Sequence, residues 1–170
     1  MYPIRLLDQL ESIEGKPWEG IVWRHMFGDT PPNRENVSGA RWNPRDVPAI
    51  YTSFERSVAI AEGDYLISIQ PVRPSARRVL HTVKVRLHSV VDLCDRELLA
   101  DLGVGQEELG ATDHTACRQV GGAVEWLGHD GLLVPSARSP GTNLVIYTRR
   151  NQPDSDFETL AAEPLTIAPG

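Results

Sequence analysis

Ala49-Ile50-Tyr51-Thr52-Ser53-Phe54-Glu55-Arg56-Ser57-Val58-Ala59-Ile60-Ala61-Glu62-Gly63 reads as a short strand running directly into a helix. Thr52 followed by Glu55 has the form of a capping box, in which each side chain satisfies the other's orphan backbone donor. Phe54 and Val58 fall at helical spacing, and Gly63 supplies a stop. The residues beyond the helix decide the fold. Residues 65–72 alternate as a strand, and 79–91 alternate more strongly through Val79, His81, Val83, Val85 and Leu87. Two strands in succession break regular βαβ alternation, and no GxGxxG follows a strand, which argues against a Rossmann fold.

Outward from this segment, Leu6, Leu7, Leu10 and Ile13 make a helical stripe, and residues 20–26 form a strand carrying Trp23, Arg24 and His25. Residues 30–37 are a loop by their prolines and asparagines. Helices are expected over 95–102 and 112–127, the latter with Ala116, Val120, Val124 and Leu127 on one face. Residues 131–136 and 143–148 are apolar runs joined by Ala137-Arg138-Ser139-Pro140-Gly141-Thr142, a loop-linked strand pair. The sum is an α+β fold, a single mixed domain over 1–150 with a central, mainly antiparallel sheet. Residues 151–170, rich in prolines and acidic residues, are expected as a C-terminal tail, loosely ordered or packed on the surface.

A chain of 170 residues suits one domain, and 41% hydrophobic with 24% charged residues is ordinary for a soluble globular protein. A net charge of -6 creates no global attraction to nucleic acid or anionic lipid, although local arginines can still bind a small anion. No apolar run approaches a membrane span, and Arg5 and Asp8 stand where a signal peptide would be apolar, so a cytoplasmic protein is expected. Cys94 and Cys117 read as two reduced thiols, and no zinc-like grouping of cysteine and histidine occurs, so no metal is expected. No GxSxG, P-loop or HExxH is present, and the five histidines are scattered. Among them His25 stands out only because it adjoins Arg24.

Several residues carry more chemistry than a bland domain needs. Glu62 continues the Phe54–Val58 face and so points inward, in what the Gly63 stop makes the last turn, where the helix dipole disfavours a carboxylate. Arg24 and Arg41 offer planar forks suited to phosphate or pyrophosphate oxygens, or belong to surface ion pairs. Tyr51 either stacks on a ligand ring or fills the core. Ser136 and Asn143, at the facing ends of the predicted strand pair, are either turn residues or ligand contacts.

The set Trp23-Arg24, Gly39-Ala40-Arg41-Trp42-Asn43, Ala49-Ile50-Tyr51, Ala59-Ile60-Ala61-Glu62, Val134-Pro135-Ser136-Ala137-Arg138 and Asn143-Leu144-Val145 resembles the RES domain. That family is named for an arginine, a glutamate and a serine, and its best-known members are toxins of bacterial RES–Xre toxin–antitoxin pairs. The resemblance spans about residues 20–147, with Arg-Trp-Asn its most specific piece. It implies an ADP-ribosyltransferase-like fold and cleavage of the nicotinamide–ribose bond of NAD+, so that NAD+ is a substrate and no cofactor is needed. It also implies that Arg24, Arg41, Tyr51, Glu62, Ser136 and Asn143 line the NAD+ pocket. Glu62, Arg41, Tyr51 and Ser136 would act in catalysis, and Arg24, Arg41, Tyr51 and Asn143 would bind NAD+. Two positions depart from the family: Ala40 replaces a common glycine, and Arg45-Asp46 occupies a loop that is often Pro-Gly.

Cleavage of an N-glycosidic bond builds oxocarbenium character on the ribose, which a nearby carboxylate stabilises. The acceptor is water in a glycohydrolase, inorganic phosphate in a phosphorylase, or a protein side chain in an ADP-ribosyltransferase. The last typically shows two nearby acidic residues as Glu-x-Glu, and Glu62-Gly63-Asp64 does not match. A binding module without catalysis predicts loss of the glutamate or arginines, and all are present. A cognate Xre-like antitoxin is the partner that the resemblance implies.

Overall fold

The computed structural model describes residues 1–70 and 77–166. In chain order these form α1 (Ile4–Glu11), β1 (Lys16–Phe27), β2 (Ile50–Ser53), α2 (Arg56–Ser68) and β3 (Arg78–Asp92). Then come α3 (Arg96–Asp101), α4 (Gln106–Gly110), α5 (Thr115–Trp126), β4 (Gly131–Pro135), β5 (Thr142–Ile146), a 3-10 turn (Thr148–Arg150) and β6 (Asp156–Leu165). The strands lie in the order β1-β2-β5-β4-β3-β6, and β1 also pairs with β3. The first five therefore close into a barrel-like ring, with β6 alongside β3. All pairings are antiparallel except β3 with β4. The result is a mixed α/β domain built on a mainly antiparallel sheet.

β3 makes this closure possible by its length. Along one edge it pairs with β1 from Arg78 to Val90. Along the other, Arg78 to Arg86 takes β6 and Val90 to Asp92 takes β4. Its alternation fills the ring: Val83, Val85 and Leu87 are buried with Val22, Ile50, Leu133, Leu144 and Ile146. The opposite face carries Val91, Leu132, Val134 and Val145, which pack on Leu6 and Leu10 of α1, Leu99 of α3 and Cys117, Val120 and Val124 of α5. Each fully buried Val or Leu side chain contributes roughly 1.5–3 kcal/mol, so these two clusters hold the barrel and its helices together.

The strand pair predicted at 131–148 forms, with Ser136 N–H donating to Gly141 O at 2.9 Å beneath the connecting loop. The capping box does not. Thr52 belongs to β2 and its hydroxyl donates to Leu144 O at 2.9 Å, while Glu55 is the N-cap without a side-chain cap bond. The sheet ladder claims Thr52 before the helix can. Gly63 is likewise no stop, since α2 continues to Ser68. A Cβ there would lie 2.6 Å from His25 Cγ, so glycine serves close approach of helix to strand. The predicted strand at 65–72 is overturned where it is described: Tyr65 to Ser68 are helical, and residues 71 and 72 lie outside the described residues.

The segment expected as a tail contains β6, ten residues paired along β3. Its residues are exposed or half-buried throughout, so no alternation of buried and exposed positions marks it in sequence. The 39–46 turn keeps its shape through backbone geometry. Gly39 has φ 95°, and Asp46 adopts φ 68°. Asp46 N–H donates to Val37 O at 2.9 Å, holding that left-handed conformation.

Candidate active site

Glu62 is the seventh residue of the thirteen in α2, not a last-turn residue. Helical phase from the buried Val58 turns it toward β4 and β5. There Ser136 Oγ donates to Glu62 Oε1 at 2.8 Å and Asn143 Nδ2 donates to the same oxygen at 3.1 Å. Asn143 is itself oriented by Ser53 Oγ, which donates to Asn143 Oδ1 at 2.9 Å. Both bonds fall on Oε1, which leaves Oε2 free to meet a ligand. A charge-assisted hydrogen bond is about twice as strong as a neutral one, so two of them fix the carboxylate's orientation firmly.

Glu62 opens onto a cavity of about 310 Å³ walled by Trp23, Arg24 and His25 of β1, Arg41, Tyr51, Ser53, Tyr65, His114, Arg138 and Asn143. Among the described lining residues it is the sole carboxylate. Five of the six residues expected from sequence meet in this wall: Arg24, Arg41, Tyr51, Glu62 and Asn143. Ser136 stands apart from them. It is 6% exposed and lies behind Glu62, so it holds the carboxylate without facing the cavity.

Each arginine is anchored differently. Arg24 Nε donates to Met26 Sδ at 2.9 Å and Nη2 to Arg34 O at 2.8 Å, while Nη1 is buried without a partner. Burial draws its pKa down to about 10, still protonated at neutral pH. Arg41 Nη1 donates to Leu109 O at 2.6 Å and Ala111 O at 3.1 Å, at the end of α4. Arg118 Nε donates to Ala40 O at 2.8 Å, bracing the same turn from α5. The His114 pKa is lowered by burial and then by Arg41, Arg118 and Arg138, which marks this side of the cavity as positive. No ion pair satisfies Arg24, Arg41 or Arg138 among the described residues, so their charge is available to an anion.

Tyr51 does both things that its sequence allowed. Its ring lines the cavity, while its hydroxyl accepts from Trp42 N–H at 2.9 Å and donates to Asn43 Oδ1 at 2.6 Å. Burial pushes that hydroxyl well above its ordinary pKa, so it stays protonated and is no base. The turn it ties down is nailed again by Tyr147, whose hydroxyl donates to Trp42 O at 2.9 Å, and by Gly121 of α5. A Cβ on Gly121 would lie 2.0 Å from that carbonyl.

His25 faces the cavity as a neutral ring. Arg78 Nε donates to His25 Nε2 at 2.9 Å, and burial together with Arg78 draws the imidazole pKa down to about 4. Sequence reasoning did not single out Ser53, Asn43, Tyr65, His114 or Arg138 as site residues. Ser53, Asn43 and Arg138 do lie inside or beside the quoted motifs, which was a usable signal. Tyr65, three residues after Glu62 on the same helix, was hidden by the reading of 65–72 as a strand, and His114 carries no signal because only folding brings its segment to the cavity.

The sequence model of the RES domain matches residues 15–167. The NAD(+) phosphorylase MbcT of Mycobacterium bovis and that of Mycobacterium tuberculosis are each 29% identical over 164 residues, covering 88% of this chain and 83% of the relative. In three dimensions the chain resembles one in the crystal structure of the M. tuberculosis MbcT–MbcA toxin–antitoxin complex. The TM-score is 0.84 at 24% identity, over 96% of this chain and 93% of that one, a likeness of fold.

Proposed function

Because the chain belongs to the RES domain family, we propose that it is an NAD+-degrading toxin that cleaves the nicotinamide–ribose bond and so depletes cellular NAD+. One observation carries this reading: Glu62, aimed by Ser136 and Asn143, is among the described residues the one carboxylate in a cavity whose other charged side chains are Arg24, Arg41 and Arg138. That is the charge pattern which an N-ribosyl pyrophosphate requires. Arg24 and Arg41 attract the pyrophosphate, and the carboxylate sits where positive charge develops on the ribose. The relatives' name, NAD(+) phosphorylase, supports the same substrate.

The mechanism proceeds by loss of nicotinamide with the bonding electron pair, which neutralises its ring nitrogen. Glu62 accepts a hydrogen bond from a ribose hydroxyl and stabilises the oxocarbenium-like transition state, more strongly for being half-buried. Arg24 and Arg41 hold the pyrophosphate, the Tyr51 ring stacks on the nicotinamide or its ribose, and Asn143 and Ser136 keep Glu62 in place. NAD+ is consumed, and phosphate is the co-substrate in the phosphorolytic form.

An ADP-ribosyltransferase-like ancestry of the fold belongs to this proposal, but transfer to a protein is the weaker reading. Asp64, the only other acidic residue near Glu62 in sequence, is 60% exposed and paired with Arg78 Nη2 at 2.8 Å. It supplies no second carboxylate to the cavity. We place the activity in residues 1–150, with the β6 segment as a surface-packed extension, and in the cytoplasm; among the described residues no helix is long and apolar enough to cross a membrane. A cognate antitoxin of the Xre-like type that covers the cavity is the expected partner.

Incubation with NAD+, with and without inorganic phosphate, followed by chromatography tests the proposal. ADP-ribose-1″-phosphate marks phosphorolysis and ADP-ribose marks hydrolysis. Unchanged NAD+ under both conditions contradicts NAD+ degradation altogether.

A further inference from the structure

Arg138 differs from the other cationic residues at the cavity. Arg24, Arg41 and Arg118 each donate to at least one backbone carbonyl, whereas the Arg138 guanidinium has no hydrogen-bond or carboxylate partner among the described residues. It rests on an aromatic face instead, its Cζ 3.4 Å from the centroid of the Tyr65 ring. Tyr65 follows Glu62 by three residues in α2, so the two side chains are neighbours on one helix face. Arg138 also follows Ser136 by two residues, and its backbone N–H donates to Ser136 Oγ at 3.2 Å. The uncommitted cation thus rests on the side chain next along the helix face from the carboxylate, and both line the same cavity.

We propose that Arg138 binds the phosphate co-substrate and so sets the choice of phosphate over water as acceptor. This rests on the reading that NAD+ is cleaved here with phosphate available. Electrostatics demands such a group. A phosphate dianion brought to the ribose meets the Glu62 carboxylate, and like charges at that range repel unless a cation stands beside them. An arginine fixed by carbonyls cannot follow an incoming anion, but one held only by a ring face can pivot from it. Its five donors then match phosphate oxygens. In the step itself a phosphate oxygen lone pair forms the bond to C1″ as the C1″–N bond breaks. That bond's electrons pass to the nicotinamide nitrogen, and the phosphate keeps its own proton. Nothing is oxidised or reduced.

Phosphate-dependent NAD+ consumption and product partition, measured for the wild-type chain, Arg138→Gln and Arg138→Lys, test the assignment. Arg138→Gln is expected to raise the KM for phosphate about tenfold or more and to shift product toward ADP-ribose, with the KM for NAD+ changed by less than about threefold. Arg138→Lys, which keeps the charge but not the fork, should recover part of the loss. A folded Arg138→Gln with unchanged phosphate KM overturns the proposal. So does an equal rise in both KM values, or no recovery by lysine. The wild-type arm reports separately on the parent reading: NAD+ loss with no ADP-ribose-1″-phosphate at any phosphate concentration removes phosphorolysis itself.

Discussion

Ser136 Oγ donates to Glu62 Oε1 across 2.8 Å, joining the hairpin of β4 and β5 to the middle of α2. The two residues are 74 positions apart in the chain. Ser136 is nearly buried, and Glu62 meets the cavity. On the proposed reading the serine is a positioning residue whose effect on the chemistry passes through the glutamate.

Ser136→Ala should lower kcat for NAD+ cleavage by roughly ten- to a hundredfold, because a hydrogen bond to a charged group is worth about 1.5–3 kcal/mol. The KM for NAD+ should move little, since Ser136 does not face the cavity. Steady-state kinetics separates the two, and an effect on KM alone would place Ser136 in direct contact with substrate.

Tyr51→Phe keeps the ring and removes the hydroxyl between Trp42 N–H and Asn43 Oδ1. Both groups are then left unpaired in a buried turn, at a cost of about 1–3 kcal/mol. Denaturant unfolding should show that loss while NAD+ still binds. A variant as stable as wild type would mean that the hydroxyl does not hold the turn.

Gly63→Ala pits helix propensity against packing. In an exposed helix the change would stabilise by up to about 1 kcal/mol. Here the new methyl meets the His25 ring at 2.6 Å, so a net destabilisation of roughly 1–3 kcal/mol is expected. Equilibrium unfolding in urea decides the sign.

The pH dependence of stability follows from His25. Its folded pKa of about 4 lies below the ordinary value of 6.5, so the neutral form is the one that the fold favours. Stability is fully present above pH 6.5 and falls as pH drops from about 6.5 toward about 4, because the unfolded chain takes up the proton first. His81, His114 and His129 are shifted in the same direction, chiefly by burial, and add to the loss. Unfolding free energies of wild type and His25→Phe across this window should converge toward low pH. Parallel curves would exclude His25 as a source.

The sheet, though not its closure, was legible where burial alternates, as in Val83 to Leu87, and where two apolar runs flank a turn, as at 131–148. It was not legible in β6, whose ladder rests on backbone pairing with no buried face. Local signals at Thr52 and Gly63 misled because distant partners, Leu144 O and the His25 ring, determine what those residues do. Residue types at the site were readable because few structural roles need a buried-side glutamate, two arginines and a tyrosine in one order. Which arginine is anchored and which is free depends on contacts with α4, α5 and the 30–37 loop, and no motif records that.

Turnover of NAD+ by Glu62→Gln tests the central claim most directly. Glutamine keeps the volume and removes the charge that stabilises the ribosyl cation. With the melting temperature close to wild type, the rate of NAD+ loss should fall by at least about a hundredfold, a barrier rise near 3 kcal/mol. A folded Glu62→Gln that consumes NAD+ within about twofold of the wild-type rate would contradict the account.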